Sequence, residues 1–353
     1  MSRPPDQVDA VIVGQGLAGT ALAWCLLRRG VRVLVIDCAE PFTASRVAPG
    51  LITPITGKRL KRSWQWTEFW PVARDFYQSL EITTETRFLH LRPAIRLFLS
   101  AAEREQFQRQ REQGEFAGLE VQDIAAESLP GLIAPWGGFE MQPAGNLDVV
   151  AFLKASSTAF SAAGDLWEGT LAYDDINPHT RTIRFAGQTV QTAQLIFCEG
   201  WKGRQNPWLR QVDFRPAKGE LLRVHIPGWE DQRAIHAGKW LAPVTTDQYW
   251  AGSTYDWNQL DSIPTEQGRS DILQGIERFL VQPAQILEHV AGVRPAVSDS
   301  HPVIGRHPEI PWLAFLNGLG TKGVLQAPLM AQHLCQLILE GIEPPPEVGL
   351  SRW

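Results

Sequence analysis

Three glycines near the start of the chain have the spacing of a phosphate-binding turn. Gly14, Gly16 and Gly19 lie between the apolar run Val8–Val13 and the Ala- and Leu-rich segment Leu17–Arg29. Glycines in such a turn let backbone N–H groups approach a pyrophosphate, and the N-terminus of the following helix attracts its negative charge. The chemistry indicated is the binding of a dinucleotide.

An acidic residue further along the chain supports this interpretation. Asp37 lies 23 positions after Gly14, directly after the β-branched run Val31–Ile36. A carboxylate there can accept hydrogen bonds from the ribose hydroxyls of an adenosine, and it disfavours a 2′-phosphate. The two strands and the helix between them therefore form a predicted βαβ unit. These residues leave NAD and FAD both open.

The rest of the chain contains the helices and strands that must position this turn. Apolar periodicity predicts four more helices, over 64–80, 101–113, 271–280 and 328–339, and Ser100 with Glu103 predicts an N-cap for the second of them. Alternating runs between 164 and 254, broken by turn residues, predict a middle region that is mainly antiparallel sheet.

Composition and charge narrow the possible functions. The chain has 353 residues, 44% of them hydrophobic, which is typical of a folded protein and predicts two interleaved or sequential domains. A net charge of −5 predicts no binding to nucleic acid. One basic run is interpreted as solvated loop: Lys58, Arg59, Lys61 and Arg62.

Cysteine usage and hydropathy bear on the location of the protein. The four cysteines form no Cys-x-x-Cys pair, which predicts free thiols and no metal site of that type. No apolar run is long enough for a membrane span or for the core of a signal peptide. We therefore predict a cytoplasmic protein.

Three further segments resemble the D-amino acid oxidase superfamily of FAD proteins, and within it glycine oxidase. The first is the turn over 44–52, which has Pro49 where the family pattern has none. The second is Gly292-Val293-Arg294-Pro295 with the strand at 301–305, and the third is the glycine-rich loop over 317–328. Only 30 residues follow Gly323, so this last loop must serve the first cofactor rather than a second nucleotide domain.

The resemblance implies a mixed α/β fold in which a Rossmann-like βαβ domain for FAD accompanies an antiparallel-sheet substrate domain. The FAD-binding domain would be discontinuous, over 1–80, 145–210 and 290–353, and the substrate domain would cover 81–144 and 211–289. FAD would be held noncovalently, since no cysteine lies between Cys198 and Cys335. His301 is the nearest candidate for a covalent link.

The resemblance also implies which residues bind the cofactor. Ser45 and Arg46 would contact the pyrophosphate and ribityl chain, the segment 50–52 would run beside the isoalloxazine ring, and the loop before the last helix would direct that helix's N-terminus, with or without help from Lys322, at the flavin. The full set is Gly14, Gly16, Leu17, Ala18, Gly19, Asp37, Cys38, Ser45, Arg46, Gly50, Leu51, Ile52, Leu171, Gly200, Trp201, Gly318, Leu319, Gly320, Thr321, Lys322, Gly323 and Val324.

Arg294 is the first candidate for contact with a substrate. Its planar guanidinium can grip a carboxylate with two parallel hydrogen bonds. The alternative is a buried structural arginine paired with an acid such as Asp299. Trp240 and Tyr249 are further candidates for the catalytic site, and Tyr255 and His236 in the same region could also line a pocket.

The function predicted is oxidation of the C–N bond of a small amino acid or amine, with hydride transfer to flavin N5 and with oxygen or another acceptor reoxidising the cofactor. The sequence shows no catalytic triad and no pair of metal-binding histidines, and a flavin needs neither. Two alternatives stay open: an oxidase acting on a secondary amine of a modified tRNA uridine, and a flavin-binding redox sensor that turns over no amine. The oligomeric state is left open.

Overall fold

Two eight-stranded sheets organise residues 5–353, which are the residues described by the computed structural model. The first sheet has the order β11-β2-β1-β14-β13-β12, with β21 beside β14 and β20 beside β21. Its strands are β1 (Gln7–Val13), β2 (Val33–Asp37), β11 (Leu166–Glu168), β12 (Ile176–Asn177), β13 (Thr182–Phe185), β14 (Gln188–Phe197), β20 (Val303–Arg306) and β21 (Leu313–Asn317).

The second sheet has the order β19-β15-β18-β17-β16-β7-β9-β8 and is antiparallel except for the parallel pair β16 and β7. Its strands are β7 (Ala94–Leu97), β8 (Glu120–Ile124), β9 (Gly138–Gln142), β15 (Ala217–His225), β16 (Ala234–Ala237), β17 (Lys239–Pro243), β18 (Gln248–Gly252) and β19 (Gln285–Arg294). Two short sheets contain β3 (Leu51–Ile52), β6 (Leu89–Leu91) and β10 (Gly145–Leu147), and β4 (Ile55–Thr56) and β5 (Lys61–Arg62).

Six α-helices pack around these sheets: α1 (Leu17–Leu27), α2 (Trp66–Thr84), α3 (Ala101–Glu112), α4 (Val149–Ala163), α5 (Glu266–Glu277) and α6 (Gly323–Glu340). Short 3₁₀ helices cover Tyr173–Asp175, Gly200–Gln205 and Leu350–Arg352. No helix within residues 5–353 is both long enough and apolar enough to cross a lipid bilayer. The mixed α/β fold predicted from the sequence is confirmed.

The predicted βαβ unit is present, because β1 and β2 pair in parallel with α1 between them. Every apolar side chain of α1 from Ala21 to Trp24 is buried, since the helix lies between the sheet and α6. Hydrophobic surface on all sides is what a core helix requires. The glycine turn is therefore held between two buried elements.

Some predicted elements differ from the structure. Helix α4 was not predicted, although Asp148 accepts a hydrogen bond from the N–H of Ala151 as its N-cap and Gly164 ends it at a φ of +81°. The strands over 164–197 belong to the first sheet, and β14 pairs in parallel with β1 and β21. Helix α6 begins at Gly323, five residues before the predicted start, because Pro328 is tolerated within it.

Candidate active site

A cavity of about 1320 Å³ lies where the β1–α1 turn, the loop over 43–51, the second sheet and the start of α6 meet. The side chains and backbone of all four regions line it. Its lining therefore combines the predicted nucleotide-binding turn with residues from the antiparallel sheet.

The glycine turn has the shape that a bound pyrophosphate requires. Gly14 has a φ of +104°, and a Cβ on it would lie 2.4 Å from the carbonyl oxygen of Cys198. A Cβ on Gly19 would lie 1.8 Å from the carbonyl oxygen of Gly14, so this glycine allows the helix to pack on the strand. The N-cap of α1 is Gly16, which has no side chain to cover the helix N-terminus on the side of the cavity. The turn fits a dinucleotide.

Two polar side chains fix this turn in place. One carboxylate oxygen of Asp37 accepts a hydrogen bond from the N–H of Gln15 at 2.7 Å, and the other accepts one from Ala39 at 2.9 Å. The hydroxyl of Ser45 accepts a hydrogen bond from the N–H of Leu17 at 3.0 Å. Asp37 and Ser45 both line the cavity, so each is within reach of a ligand bound over the turn.

A buried carboxylate that sequence reasoning missed lies beside this end of the cavity. Glu199 accepts hydrogen bonds from the Tyr173 hydroxyl and from Nδ2 of Asn206, both at 2.8 Å. Burial raises the pKa of Glu199, and these two donors act in the opposite direction. Glu199 is adjacent to Gly200 and Trp201, which were predicted to bind the cofactor. A single acidic residue after a strand belongs to no motif, so the sequence does not indicate that Glu199 lies at the cavity.

The glycine-rich loop before α6 closes the cavity on another side. The amide of Asn317 donates to the carbonyl of Gly200 at 2.9 Å and accepts from the N–H of Gly318 at 2.8 Å. The loop therefore ties β21 to the strand end at β14. Positive φ angles at Gly318 (+75°) and Gly320 (+51°) turn the chain toward the N-terminus of α6.

Lys322 lies at this N-terminus and faces the cavity. Its side chain is half-buried, and Nζ donates to the Ser63 hydroxyl at 3.4 Å. Burial lowers the pKa of Lys322 to about 8. Within residues 5–353 no carboxylate is close enough to form an ion pair with it. Lys322 therefore lies in the cavity wall as a cation. The alternative left open by the sequence, an exposed surface lysine, does not describe its position.

Arg294 ends β19 with its guanidinium spread over Gly219 of β15. A Cβ at Gly219 would come within 2.0 Å of Nη2, so only glycine leaves room for the arginine. Nη1 donates to the carbonyl oxygens of Lys218 (3.3 Å) and Thr254 (3.2 Å), and Nη2 donates to the Ser253 hydroxyl (2.9 Å). The protein thus uses three of the five N–H groups of the guanidinium.

Nε of Arg294 makes no hydrogen bond within residues 5–353, and Nη2 has a second N–H beyond the one used by Ser253. An Nε–H and an Nη2–H on one edge of a guanidinium can donate two parallel hydrogen bonds to a carboxylate. The ring of Tyr255 covers one face of the guanidinium at 4.2 Å. Asp299, the acid considered as a structural partner, instead accepts a hydrogen bond from Nε of Arg352 at 2.7 Å. Burial lowers the pKa of Arg294, but a guanidinium stays charged.

The other predicted substrate residues separate into two groups. Trp240, Tyr255 and His236 line the cavity. Tyr249 is fully buried in the core beneath the sheet, because successive side chains of a strand point to opposite faces. Its hydroxyl donates among backbone carbonyl oxygens, including that of Asp231 at 2.9 Å. Tyr249 therefore has a structural position rather than a catalytic one.

Most of the predicted cofactor residues lie on the cavity wall, but four do not. Ile52 faces the core while its neighbour Leu51 faces the cavity, as alternation along a strand requires. Arg46 lies behind the wall, and Gly19 and Gly318 shape the backbone without lining the cavity. The ring of His301 packs on Trp64 at 4.4 Å and is likewise outside the lining.

A match to a known protein family agrees with a cavity that combines a glycine turn with an antiparallel sheet. Residues 9–337 match the DAO family model, described as FAD dependent oxidoreductase. The chain belongs to the DAO family of FAD-dependent oxidoreductases. It is therefore an FAD enzyme, and the predicted membership of the D-amino acid oxidase superfamily is confirmed. The group that a DAO protein binds is FAD, and the glycine turn, Asp37 and the open N-terminus of α1 fit it.

Individual relatives include enzymes of different length. The chain is 23% identical to glycine oxidase from Bacillus licheniformis, covering 94% of this chain and 93% of that protein. It is 25% identical to the tRNA 5-methylaminomethyl-2-thiouridine biosynthesis bifunctional protein MnmC from Marinobacter nauticus, covering 94% of this chain. The chain spans 55% of the length of that bifunctional protein, so about half of it has no counterpart here.

The crystal structure of glycine oxidase from Geobacillus kaustophilus superposes with a TM-score of 0.80 and covers 97% of each chain at 20% identity. At this level of identity the superposition shows a shared fold. It covers both sheets and the cavity between them. The fold of this DAO member is therefore the fold seen in that crystal structure.

Proposed function

We propose that the protein oxidises the C–N bond of an amino acid whose carboxylate is held by Arg294. The observation that supports this is the Nε–H of Arg294, which has no acceptor, on a charged group in the cavity with no acid beside it within residues 5–353. A buried charge without a partner is costly, so its retention fits a ligand of opposite charge. The similarity to glycine oxidase also supports an amino acid as the substrate.

FAD, when bound over the glycine turn, supplies a hydride acceptor at flavin N5. The protein's own residues have three tasks. Arg294 holds the carboxylate and so fixes the orientation of Cα. Trp240 and Tyr255 cover the substrate and limit the access of water. Lys322 and the N-terminus of α6 place positive charge near the cofactor, which favours its anionic reduced form.

The amine of the substrate must lose its proton before oxidation. Within residues 5–353 the cavity wall has no histidine beside Arg294: His236 lies on β16 next to Arg96, four strands away from β19 in the sheet. Burial, with the positive charges of Arg96 and Lys322, lowers the pKa of His236 to about 3. An imidazole with so low a pKa is a poor proton acceptor, so the amine loses its proton to solvent, and the cations Arg294 and Lys322 in the cavity wall disfavour its ammonium form.

The test is anaerobic reduction of the bound flavin, followed by its visible spectrum. Glycine, sarcosine, proline and D- and L-amino acids are added in turn, and at least one of them should bleach the flavin bands. Arg294→Ala should raise the Michaelis constant about 100-fold or more, since two charge-assisted hydrogen bonds are lost. Arg294→Lys keeps the charge but not the fork and should recover only part of the affinity.

Carboxamides of the same amino acids provide the matched control. They lack the anion, so Arg294→Ala should change their reaction far less. Equal losses for acid and amide would contradict the carboxylate clamp. A flavin that none of these compounds reduces would favour the alternative of a redox sensor that turns over no amine.

A second candidate function is oxidation of a secondary amine on a modified tRNA uridine. The relative from Marinobacter nauticus supports it, and Lys58 in the predicted basic run lines the cavity. The net charge of −5 and the missing half of that relative favour the small-molecule substrate. Flavin reduction by tRNA that carries the modified base, with no reduction by free amino acids, would reverse this order.

A further inference from the structure

A second cationic group lies at the far end of the cavity from Arg294. Arg96 of β7 is 8% exposed and lines the cavity. Its Nη2 donates to Oε1 of Glu103 at 2.5 Å, while its Nε is buried without any acceptor. Nη1 likewise has no acceptor within residues 5–353. Arg96 therefore has donors left over after its ion pair is made.

The two arginines are far apart in the second sheet. The order β19-β15-β18-β17-β16-β7 places five strand spacings between β19 and β7. The guanidinium of Arg294 crosses β15 to reach Ser253 at the end of β18, which leaves three spacings, about 14 Å at about 4.8 Å per spacing. Glycine is only a few ångströms long, so a glycine held by Arg294 leaves Arg96 without a ligand.

The surroundings of Arg96 favour an anion. Glu103 is the acid at this end of the cavity, and its second oxygen already accepts the N–H of Leu99 at 2.6 Å. Lys58 on the turn between β4 and β5 also lines this end, as does the N-terminal turn of α3 with its partial positive charge. His236, the neighbour of Arg96 across the β16–β7 pair, has a buried Nε2 with no partner.

We propose that Lys58, Arg96, Glu103 and His236 form a distal pocket that binds an anionic group at the far end of the substrate. The substrate class is then an elongated amino acid, with an oxidisable amine near its α-carboxylate and a carboxylate or phosphate at the end of its substituent. The proposal rests on the proposed function, because Arg294 must hold the first carboxylate. It adds a second point of recognition that sets substrate length.

The test uses the FAD-loaded enzyme and a graded series of N-(carboxymethyl) amino acids with two to eight methylenes before a terminal carboxylate. N-alkylglycines of the same length are the neutral controls, because their distal end carries no charge. α-Amino acids with a terminal acid on the side chain test whether the substituent can be on carbon instead of nitrogen. Anaerobic stopped-flow gives the Kd and the rate of flavin reduction. We expect the Kd to pass through a minimum at one length, about tenfold below that of the neutral control.

Three variants separate recognition from folding. Arg96→Gln should abolish the preference for the anionic over the neutral compound, and Arg96→Lys should keep part of it. Glu103→Gln should strengthen the preference, since the guanidinium loses its competing carboxylate. If the ion pair is only structural, Arg96→Gln and Glu103→Gln should lower the midpoint of thermal unfolding by similar amounts. The preference for the anionic over the neutral compound would then be unchanged, and this result would overturn the proposal.

Failure of the proposed function is a separate outcome. If no amine reduces the flavin, non-oxidisable dicarboxylates of the same lengths still report the distal pocket by shifting the flavin spectrum, and this shift must disappear in Arg96→Gln. A flat dependence on length, or an equal loss of all compounds in Arg96→Gln, would refute the distal pocket even if glycine is oxidised. Terminal phosphonates, compared with terminal carboxylates, distinguish the two sources of the anion.

Discussion

The cofactor side and the substrate side of the cavity are made in different ways. On the cofactor side, the conformation of the backbone forms the wall: Gly14 and Gly19 leave no room for a Cβ, and Asp37 accepts hydrogen bonds from backbone N–H groups. On the substrate side, side chains form the wall, and Arg294 and Arg96 come from opposite parts of one sheet. The glycine turn of the first side is a short motif in the sequence, whereas the second side depends on which strands pair in the sheet.

We therefore expect the two sides of the cavity to respond differently to substitution. A backbone turn fails when one atom is added, because its neighbours are also backbone and cannot move aside. A wall of side chains can lose one member and keep its shape, so loss of affinity should be confined to ligands that contact that member. Four predictions test this contrast.

The largest effect is expected at Gly14. Gly14→Ala places a Cβ 2.4 Å from a carbonyl oxygen of Cys198, so we expect almost complete loss of bound FAD, measured as the ratio of flavin absorbance to protein. Gly30→Ala is the matched control, because Gly30 also has a positive φ (+74°) but meets no atom within 4 Å. A colourless Gly30→Ala would mean that backbone strain alone accounts for the loss.

A smaller and more selective effect is expected at Gly219. Gly219→Ala must displace the Arg294 guanidinium, whose Nη2 lies 2.0 Å from the position of the new Cβ. We expect FAD to stay bound while the Michaelis constant for amino acids rises about 10- to 100-fold, the range for one or two weakened charge-assisted bonds. The matching carboxamides should react as before. If FAD content falls with the affinity, the two sides of the cavity are not independent.

The contrast also explains what could be predicted from the sequence. The turn at Gly14, the carboxylate of Asp37 and the arginine in Gly292-Val293-Arg294-Pro295 lie in short motifs, so spacing and resemblance could select them as candidates, and all three line the cavity. Arg96 lies in no motif, and its cross-strand neighbour His236 comes from a strand 140 positions away in the sequence. Only the pairing of strands brings these residues together.

Tyr249 and Lys322 show two things that the sequence could not give, the face of a strand and the burial of a side chain. Tyr249 was selected because it is close to Trp240 in sequence, but position along a strand decides which face a side chain occupies. Lys322 could not be distinguished from an exposed lysine, because burial is set by Ser63 and by the sheets around it. The division into two domains stays a prediction, although all strands of the first sheet fall within the ranges assigned to FAD binding.

The third prediction concerns the charge of Lys322. Its pKa is 10.5 in an unfolded chain and about 8 in the fold, so between these values the unfolded chain binds more protons. The free energy of unfolding should therefore rise as the pH increases from about 8 to 10.5, and below pH 8 the buried charge destabilises the apoprotein. Lys322→Met should remove this rise. We would measure urea unfolding of both proteins at several pH values and compare the differences, which cancels the titration of all other groups.

The smallest effect is expected where the cofactor side depends on side chains alone. Lys202 and Glu40 form an ion pair, and both line the cavity, but each side chain is 45% exposed. Exposed pairs contribute about 0–1 kcal/mol and are screened by salt, so Glu40→Gln should raise the rate of FAD release no more than about fivefold, and less at high salt. Asp9→Asn breaks the similarly exposed pair with Arg32 outside the cavity and is the control. A loss of FAD as large as that of Gly14→Ala would show that side chains, and not the backbone turn, retain the cofactor.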